Sequence, residues 1–223
     1  MFDIHYYDSI DSTMNLARDH LVHGNVIQAG EQTGGRGRRG NQWSSPSGNL
    51  YQSIILKPKV DKQYWGQLSF VIAVALGQAC KNIGIETYQL KWPNDVLIDD
   101  KKLAGILIEV QSDVVIIGTG INIKVCPDDK CKIHDFNDIS VNEFRDKFLS
   151  QIKKYFTIWE KEGFTLIRLK WMKRAYHLGE NIQARLPNKI YEGVFEDLDA
   201  SGILLLREKN GFLRKINSGE ILV

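Results

Sequence analysis

The sequence predicts an α+β fold, in which a mixed sheet with flanking helices is followed by a small β-barrel. Segments with helical spacing of apolar residues alternate with β-rich segments in the first part of the chain. After Gly179 the pattern changes to short strands separated by turn residues, an arrangement typical of a small barrel. We therefore expect a larger domain at 1–177 and a small C-terminal barrel domain at 178–223.

Periodicity and punctuating residues predict the elements of the first half. Helices are indicated where apolar residues recur every three or four positions, with a capping residue before them and a glycine after them. Strands are indicated by short β-branched and aromatic runs that end at proline, glycine or polar residues. In chain order the sequence predicts a helix start at Asp11–Ala17, strands at Val26–Ala29 and Leu50–Leu56, and a helix at Trp65–Ile83.

The second half begins with three closely spaced strands, of which the first two suit a hairpin through the polar connection 99–101. Ser140 and Glu143 then form a capping box that opens an aromatic-striped helix. The predicted elements here are strands at Val96–Ile98, Leu103–Val110 and Val114–Ile123, a helix after Ser140, a helix at Leu166–Tyr176, and tail strands at Asn181–Leu186, Tyr191–Phe195, Ile203–Arg207 and Phe212–Ile216.

The composition is that of an ordinary globular protein. Apolar residues make up 43% of the chain and charged residues 25%, and the formal net charge of +2 is too small to indicate nucleic acid or membrane as the main partner. The longest apolar stretch, Phe70–Leu76, is far shorter than the ~20 residues that a membrane span needs. Met1–His5 lacks the features of a secretory signal. We expect a soluble, cytoplasmic protein.

The three cysteines indicate a reducing compartment, because Cys80, Cys126 and Cys131 form neither an even framework nor a C-x-x-C pair. Cys126, Cys131 and His134 are close in sequence but have no fourth ligand at a suitable spacing. Free thiols are therefore favoured over a metal site, and we expect no metal held by a cluster of protein side chains.

The segment Gly34–Gly40, which we call the glycine-arginine loop, places three arginines among four glycines. Its last six residues match the G-x-G-x-x-G of dinucleotide-binding turns, but the following 41–49 is a poor helix start, which excludes that interpretation. A flexible cationic loop that closes over a small anionic ligand fits better. An RNA-binding Arg-Gly segment is an alternative, although such segments are usually repetitive and flanked by disorder.

Four further groupings could carry chemistry, and each has a structural alternative. Ser12 and Thr13 sit at a predicted helix start and could be only a cap. Lys91–Asp95 presents a lysine and a carboxylate, or is merely a packed turn. Lys102 precedes small residues where a ligand could approach the backbone, or it ends a solvated hairpin. Gly118–Asn122 interrupts an apolar strand and could mark a bulge. Spacing alone supports an anion-binding site of unknown purpose.

Five motifs in family order resemble the signature of biotin protein ligases, the biotin–[acetyl-CoA-carboxylase] ligases. The tail ending in Ser218–Ile221 is similar to the small C-terminal domain of that family. The motifs are Asp11–Thr13, then Gly34–Gly40 followed by Trp43–Pro46 and Gly48–Tyr51, then Lys91–Asp95, Lys102–Leu107 and Gly118–Asn122. The resemblance implies a catalytic domain of the class II synthetase and biotin ligase type, with an SH3-like C-terminal barrel.

The resemblance implies a two-step reaction. Biotin and ATP form biotinyl-5′-AMP and pyrophosphate, and the biotinyl group then passes to one lysine of a biotin carboxyl carrier protein. A carboxylate must attack an anionic α-phosphate in the first step, so positive charge and Mg²⁺ are what a catalyst can supply. The implied cofactors and substrates are therefore ATP, biotin and Mg²⁺.

The resemblance also assigns residues to roles. Lys102 is the first choice as catalytic residue, with Arg38 beside it and Asp95 orienting or deprotonating the incoming lysine amine. The implied sets are Ser12, Thr13, Gln32, Arg36, Gly37, Arg38, Lys102 and Gly105 for biotin; Arg36, Arg38, Asn94, Lys102 and Asn122 for the nucleotide; and Gly34, Gly35, Gly40 and Trp43 for a lid that is mobile without ligand and ordered with it.

Two departures from the family pattern matter. Met14 stands where the family often has asparagine, so one biotin contact is expected to be lost or made by the backbone. The Asp-Ser-Thr motif begins ten residues from Met1, so we expect a ligase-only form without an N-terminal DNA-binding domain. The family includes monomers and homodimers, which leaves the oligomeric state open.

Two rival functions were weighed. A lipoate or octanoate ligase would share the fold and the acyl-adenylate chemistry, but the Arg-Arg-x-x-Gly-Gly and His-Asp pairing of such enzymes is missing from the sequence. A non-catalytic RNA-binding module would use the glycine-arginine loop and the tail. It predicts steep salt dependence of nucleic-acid binding and indifference to biotin.

Overall fold

The larger part of the chain is built around one seven-stranded mixed sheet. The computed structural model describes residues 2–222. The strands are β1 (Asp3–Ile10), β2 (Asn25–Gln32), β3 (Leu50–Leu56), β4 (Tyr88–Lys91), β5 (Asp95–Ile98), β6 (Lys101–Gln111) and β7 (Val114–Ile121). Their order across the sheet is β1-β2-β3-β7-β6-β5-β4; β1 and β2 run parallel and the other neighbouring pairs run antiparallel.

Strand alternation divides the apolar side chains between two faces of this sheet. Ile54 belongs to the large core cluster with the longer helices, whereas Ile55 belongs to a small cluster with Met14 on the opposite face. The helices are α1 (Thr13–Leu16), α2 (Leu68–Lys81), α3 (Val141–Glu162) and α4 (Thr165–Met172). Within residues 2–222, the face opposite α2 and α3 is covered by the short helix α1 and by loops, which leaves room for a cleft.

Local signals correctly predicted two boundaries. Asp99 and Asp100 both have positive φ, 50° and 62°, as a two-residue type I′ hairpin turn between β5 and β6 requires. Ser140 accepts a hydrogen bond from the Glu143 backbone N–H and donates to the Glu143 carboxylate, so the capping box at the start of α3 is confirmed. The aromatic stripe of α3 is buried in the large core.

Several elements differ from the prediction, and at β1 and α4 the reason is identifiable. β1 was missed because it is a sheet edge with mixed exposure, on which Tyr6 is 55% exposed. α4 ends at Met172 rather than Tyr176, because the backbone around 174–176 leaves the helix to pair with β4. The Leu90 N–H donates to the Arg174 carbonyl, and the Tyr176 N–H donates to the Leu90 carbonyl.

The tail forms a second, antiparallel sheet in the order β11-β10-β9-β8-β12. Its strands are β8 (Asn181–Leu186), β9 (Lys189–Leu198), β10 (Leu204–Arg207), β11 (Leu213–Ile216) and β12 (Glu220–Leu222). Within residues 2–222 the edge strands β11 and β12 do not pair, so the sheet is not closed into a barrel. The α+β class with an all-β tail is confirmed.

The tail sheet is docked on the larger part of the chain through a turn at 199–202. The Trp92 indole Nε1 donates to the Gly202 carbonyl over 3.2 Å, and Gln67 donates to the Ala200 carbonyl over 3.2 Å. Gly202 has φ of 85°, and a side chain there would meet the ring of Phe70.

Among residues 2–222, the helices are too short or too polar to span a membrane.

Candidate active site

A cleft of about 630 Å³ opens on the sheet face opposite α2 and α3. It is lined by residues from all five sequence motifs, together with Glu220 from β12. Of the predicted site residues, the cleft is lined by Ser12, Thr13, Gln32, Arg36, Gly37, Arg38, Trp43, Asn94, Asp95, Lys102, Gly105 and Asn122. Gly34, Gly35 and Gly40 belong to the loop but do not line the cleft.

The glycine-arginine loop is a short hairpin. Gly35 and Trp43 are joined by a backbone hydrogen bond of 2.9 Å, and Gly37 and Asn41 by one of 2.7 Å. Arg39 and Gly40 at the tip both have positive φ. The next strand or helix in the chain after this hairpin is the strand β3 and not an α-helix, which agrees with the exclusion of a dinucleotide-binding turn.

Bare glycines on β6 and β7 explain the Gly118–Asn122 motif. Gly105 and Gly120 are paired across the two strands, and a Cβ on either one would meet the indole of Trp43, at 2.9 Å and 2.4 Å respectively. A Cβ on Gly118 would meet the Met14 Sδ at 2.7 Å. Because these glycines have no side chain, Trp43 and Met14 can pack directly on the sheet, and the glycines form the floor of the cleft.

Lys102 and Asp95 form an ion pair inside the cleft. The Lys102 Nζ lies 2.8 Å from the Asp95 Oδ2, and the two side chains are 28% and 21% exposed. The ammonium also lies 5.3 Å from the centre of the Trp43 ring. The second carboxylate oxygen, Asp95 Oδ1, is buried and has no hydrogen-bond partner among the described residues. Asp95 thus keeps one acceptor available beside the lysine.

Arg38 reaches across the cleft from the loop. Its Nη1 donates to the Asn94 Oδ1 over 2.9 Å and lies 3.4 Å from the Gly219 carbonyl. Burial, and then the neighbouring charge of Arg39, lower the pKa of the Arg38 guanidinium from its ordinary value. The group still carries its charge, because arginine does not deprotonate in proteins.

One end of the cleft is lined by the polar side chains of Ser12, Thr13 and Gln32. Gln32 Oε1 accepts from the Thr13 backbone N–H at 2.8 Å and from its hydroxyl at 3.1 Å, while Gln32 Nε2 donates to the Ser45 hydroxyl at 2.9 Å. Ser53 donates to the Thr13 hydroxyl from the neighbouring strand. The Ser12 hydroxyl is buried, and within residues 2–222 it has no partner. Ser12 therefore supplies an uncommitted hydroxyl at this end.

Asn122 is committed to protein contacts. Its side chain donates to the Cys131 carbonyl over 3.1 Å, and its backbone N–H donates to the Leu103 carbonyl over 3.0 Å. It holds the segment after β7 close to Lys102.

The Cys131 thiol is buried, which raises its pKa to about 11. Within residues 2–222 no three His, Cys, Asp or Glu side chains group into a metal site.

The sequence analysis missed three residues that shape this site. Glu109 binds the guanidinium of Arg36, Glu220 approaches Arg38 from the tail sheet, and Asn49 organises the segment after β7. Glu220 and Asn49 each lie within a segment that resembles the family, but the sequence predicted no role for either residue. Glu109 carried no local signal, because its partners are far away in sequence.

Asn49 is a buried hub. Its Oδ1 accepts from the backbone N–H groups of Ile123, Lys124 and Val125 at 2.8, 3.0 and 3.1 Å, and its Nδ2 donates to the Tyr51 hydroxyl. Burial raises the pKa of Tyr51 to about 12, so this hydroxyl stays protonated and donates onward to the Pro46 carbonyl. The hub links the end of the Trp43 segment to the segment that carries Asn122.

Replacing this hub residue, Asn49→Ala, is expected to destabilise the protein by about 2–3 kcal/mol, because it leaves one buried and two partly buried N–H groups without an acceptor. For a chain of this size, that loss corresponds to a fall in Tm of about 4–12 °C. Asn49→Asp keeps the acceptor and is expected to lose less. Thermal unfolding of both variants checks this; equal Tm values for Asn49→Ala and the unsubstituted protein would contradict it.

Comparisons with known proteins agree with this geometry. Residues 6–125 match the biotin/lipoate A/B protein ligase family, and residues 177–223 match the biotin protein ligase C-terminal domain. The chain is 35% identical to the bifunctional ligase/repressor BirA of Bacillus subtilis, over 97% of this chain and 72% of that protein. It is also 35% identical to the biotin–[acetyl-CoA-carboxylase] ligase of Paracoccus denitrificans, over 83% of this chain and 85% of that one.

The fold has a solved counterpart. The structure of a biotin protein ligase from Aquifex aeolicus in complex with biotin and ATP superposes with a TM-score of 0.90 at 28% identity, covering 100% of this chain and 98% of that one. The chain belongs to the biotin/lipoate A/B protein ligase family. Within that family, the C-terminal match and these relatives make it one of the biotin protein ligases.

Proposed function

We propose that this protein activates biotin as biotinyl-5′-AMP and transfers the biotinyl group to a lysine of a biotin carboxyl carrier protein. The observation that carries the proposal is the Lys102–Asp95 ion pair, which lines the same cleft as Arg38 and the uncommitted Ser12 hydroxyl. In this proposal residues 1–177 form the catalytic domain, and residues 178–223 form a small domain that contributes Glu220 to the cleft.

In the first step a biotin carboxylate oxygen forms a bond to the α-phosphorus of ATP, and the bond from that phosphorus to the bridging oxygen breaks. Pyrophosphate leaves with the bonding electrons. Two anions must approach each other, so fixed positive charge lowers the barrier most. Lys102 bridges the carboxylate and the α-phosphate, and Arg38 stabilises the charge on the phosphates. Asn94 holds Arg38, and Asn122 keeps the nucleotide wall in place.

Mg²⁺ enters as the Mg–ATP complex in this proposal, because phosphate oxygens and a few carboxylates are its usual ligands. The bicyclic ring of biotin occupies the polar end of the cleft. The Ser12 hydroxyl and the Thr13–Gln32 group bond the ureido atoms, and the backbone of Gly37 and the bare surface of Gly105 border the acyl chain. Arg36 also lines the cleft.

In the second step the neutral amine of the carrier lysine attacks the acyl carbonyl of the adenylate. A new C–N bond forms, AMP leaves, and the amine proton passes to a base. Asp95 is suited to accept this proton, because its Oδ1 has no partner among the described residues. Trp43 and the glycines Gly34, Gly35 and Gly40 serve a lid that excludes water from the reactive anhydride.

The test is pyrophosphate exchange into ATP, measured with Mg–ATP and either biotin or lipoate. We expect exchange that depends on biotin, and at least tenfold less exchange with lipoate at the same concentration. Nucleic-acid binding that falls steeply with salt, together with no exchange, would instead support an RNA-binding module. Exchange with lipoate but not with biotin would overturn the proposal in favour of a lipoate ligase.

A further inference from the structure

Arg36 and Arg38 lie two residues apart but contact different elements of the fold. Arg38 is held by Asn94 in the turn between β4 and β5. Arg36 has other partners, since its Nη2 donates to the Glu109 Oε1 over 2.6 Å and its Nη1 donates to the Asn15 Oδ1 over 3.1 Å. The guanidinium of Arg36 is therefore engaged by Glu109 and Asn15 rather than by the residue that holds Arg38.

Glu109 is shared between two cationic side chains from different segments. Its second oxygen, Oε2, accepts from Arg18 over 2.8 Å, so one carboxylate on β6 joins the turn after α1 to the glycine-arginine loop. The Glu109 side chain is 23% exposed, against 36% for Arg36 and 45% for Arg18. A single exposed ion pair contributes little, but a carboxylate with both oxygens bonded to guanidinium groups forms a stronger network.

Polar contacts beyond Glu109 extend this connection to the start of the glycine-arginine loop. Asn15, which accepts from Arg36, donates in turn to the Asp11 Oδ2 over 2.6 Å. The backbone carbonyl of Asp11 accepts from the Gly34 N–H over 2.8 Å at the start of the loop. A side chain on Gly34 would meet the Asp11 carboxylate at 2.1 Å, so glycine is needed for this close approach.

We propose that Glu109 is a positioning residue that holds the glycine-arginine loop closed by fixing Arg36, and that the Arg36 guanidinium serves this contact rather than the substrate phosphates. The Glu109 bridge, meaning Glu109 with Arg18 and Arg36, then sets how long the activated intermediate is retained. Arg38 alone of the two cleft arginines acts on the phosphates. The retention part of the inference rests on the proposed function, whereas the loop contact does not.

The experiment compares Glu109→Gln, Arg36→Gln and the double variant. Amide exchange of a peptide covering 33–42, without substrates, is expected to be about three- to tenfold faster in each single variant. The acceleration in the double variant is expected to be smaller than the product of the two single accelerations, because both substitutions remove the shared Glu109–Arg36 contact. Glu196→Gln, which breaks an exposed ion pair with Arg207 in the tail sheet, is the matched control and should leave this peptide unchanged.

With substrates, the rate at which the activated intermediate escapes to solvent should rise by a similar factor in Glu109→Gln. The rate of its formation at saturating biotin and ATP should stay within about twofold, a separation that general destabilisation would not produce. Unchanged loop exchange in Glu109→Gln would overturn the inference. So would loss of intermediate formation in Arg36→Gln with Glu109→Gln silent. If the unsubstituted protein formed no intermediate, the proposed function would fail while the loop measurement still judged the bridge.

Discussion

Lys102→Gln is expected to lower kcat for biotin-dependent pyrophosphate exchange by about 100- to 1000-fold, equivalent to about 2.7–4 kcal/mol of transition-state stabilisation. Glutamine keeps most of the length of the side chain but removes the charge that brings the two anions together. Lys102 is the ammonium paired with Asp95 and covered by Trp43, so solvent screens it less than a surface lysine.

The matched control is Lys101→Gln, because Lys101 is adjacent on the same strand but exposed. We expect this control to keep its rate within about twofold. Thermal unfolding of both variants separates catalysis from stability, since the loss of Lys102 also leaves Asp95 without its ion-pair partner. A Lys102→Gln protein that retained the full exchange rate would show that the lysine is not the catalytic group.

Arg38→Ala is expected to lower kcat/KM for ATP by about 100-fold, with the larger part in kcat, because the charge acts on phosphates in the transition state. Its neighbour Arg39→Ala is the control, since that side chain is exposed and does not line the cleft. We expect the control to lie within about threefold of the unsubstituted protein. Steady-state kinetics with varied ATP at saturating biotin measure both effects.

The charged groups around Arg38 provide a second control for the Arg38→Ala result. Burial and Arg39 lower the pKa of the guanidinium, whereas Asp95 and Glu220 act to raise it. Arg39→Ala removes one repulsive neighbour and should therefore leave Arg38 slightly more favourable as a cation. If Arg38→Ala and Arg39→Ala lost the same activity, the loop would act through its summed charge, and the assigned position of Arg38 would be wrong.

The fold was largely predictable because its signals are local. The hairpin at Asp99–Asp100 and the capping box at Ser140 each depend on residues within a few positions. β1 was not predictable in this way, because an edge strand with mixed exposure has no regular alternation. The open form of the tail sheet depends on whether β11 and β12 meet, and no short-range pattern encodes that.

The site was predictable only in part. The motifs identified the residues that the cleft brings together, because each motif lies within one turn or strand end. The sequence could not show that Arg36 and Arg38 bind different partners, since the partner of Arg36 is Glu109, far along the chain. Nor could it show that Asn122 is committed to protein contacts, which requires the position of Cys131.

The most direct test of the central claim is transfer to a carrier. The protein, biotin and Mg–ATP are incubated with a biotin carboxyl carrier domain, and the carrier is analysed by mass spectrometry. We predict that one biotinyl group is added to one lysine, and that a carrier in which arginine replaces this lysine stays unmodified. A carrier left unmodified under these conditions, while a lipoyl domain is modified when lipoate is supplied, would contradict the account.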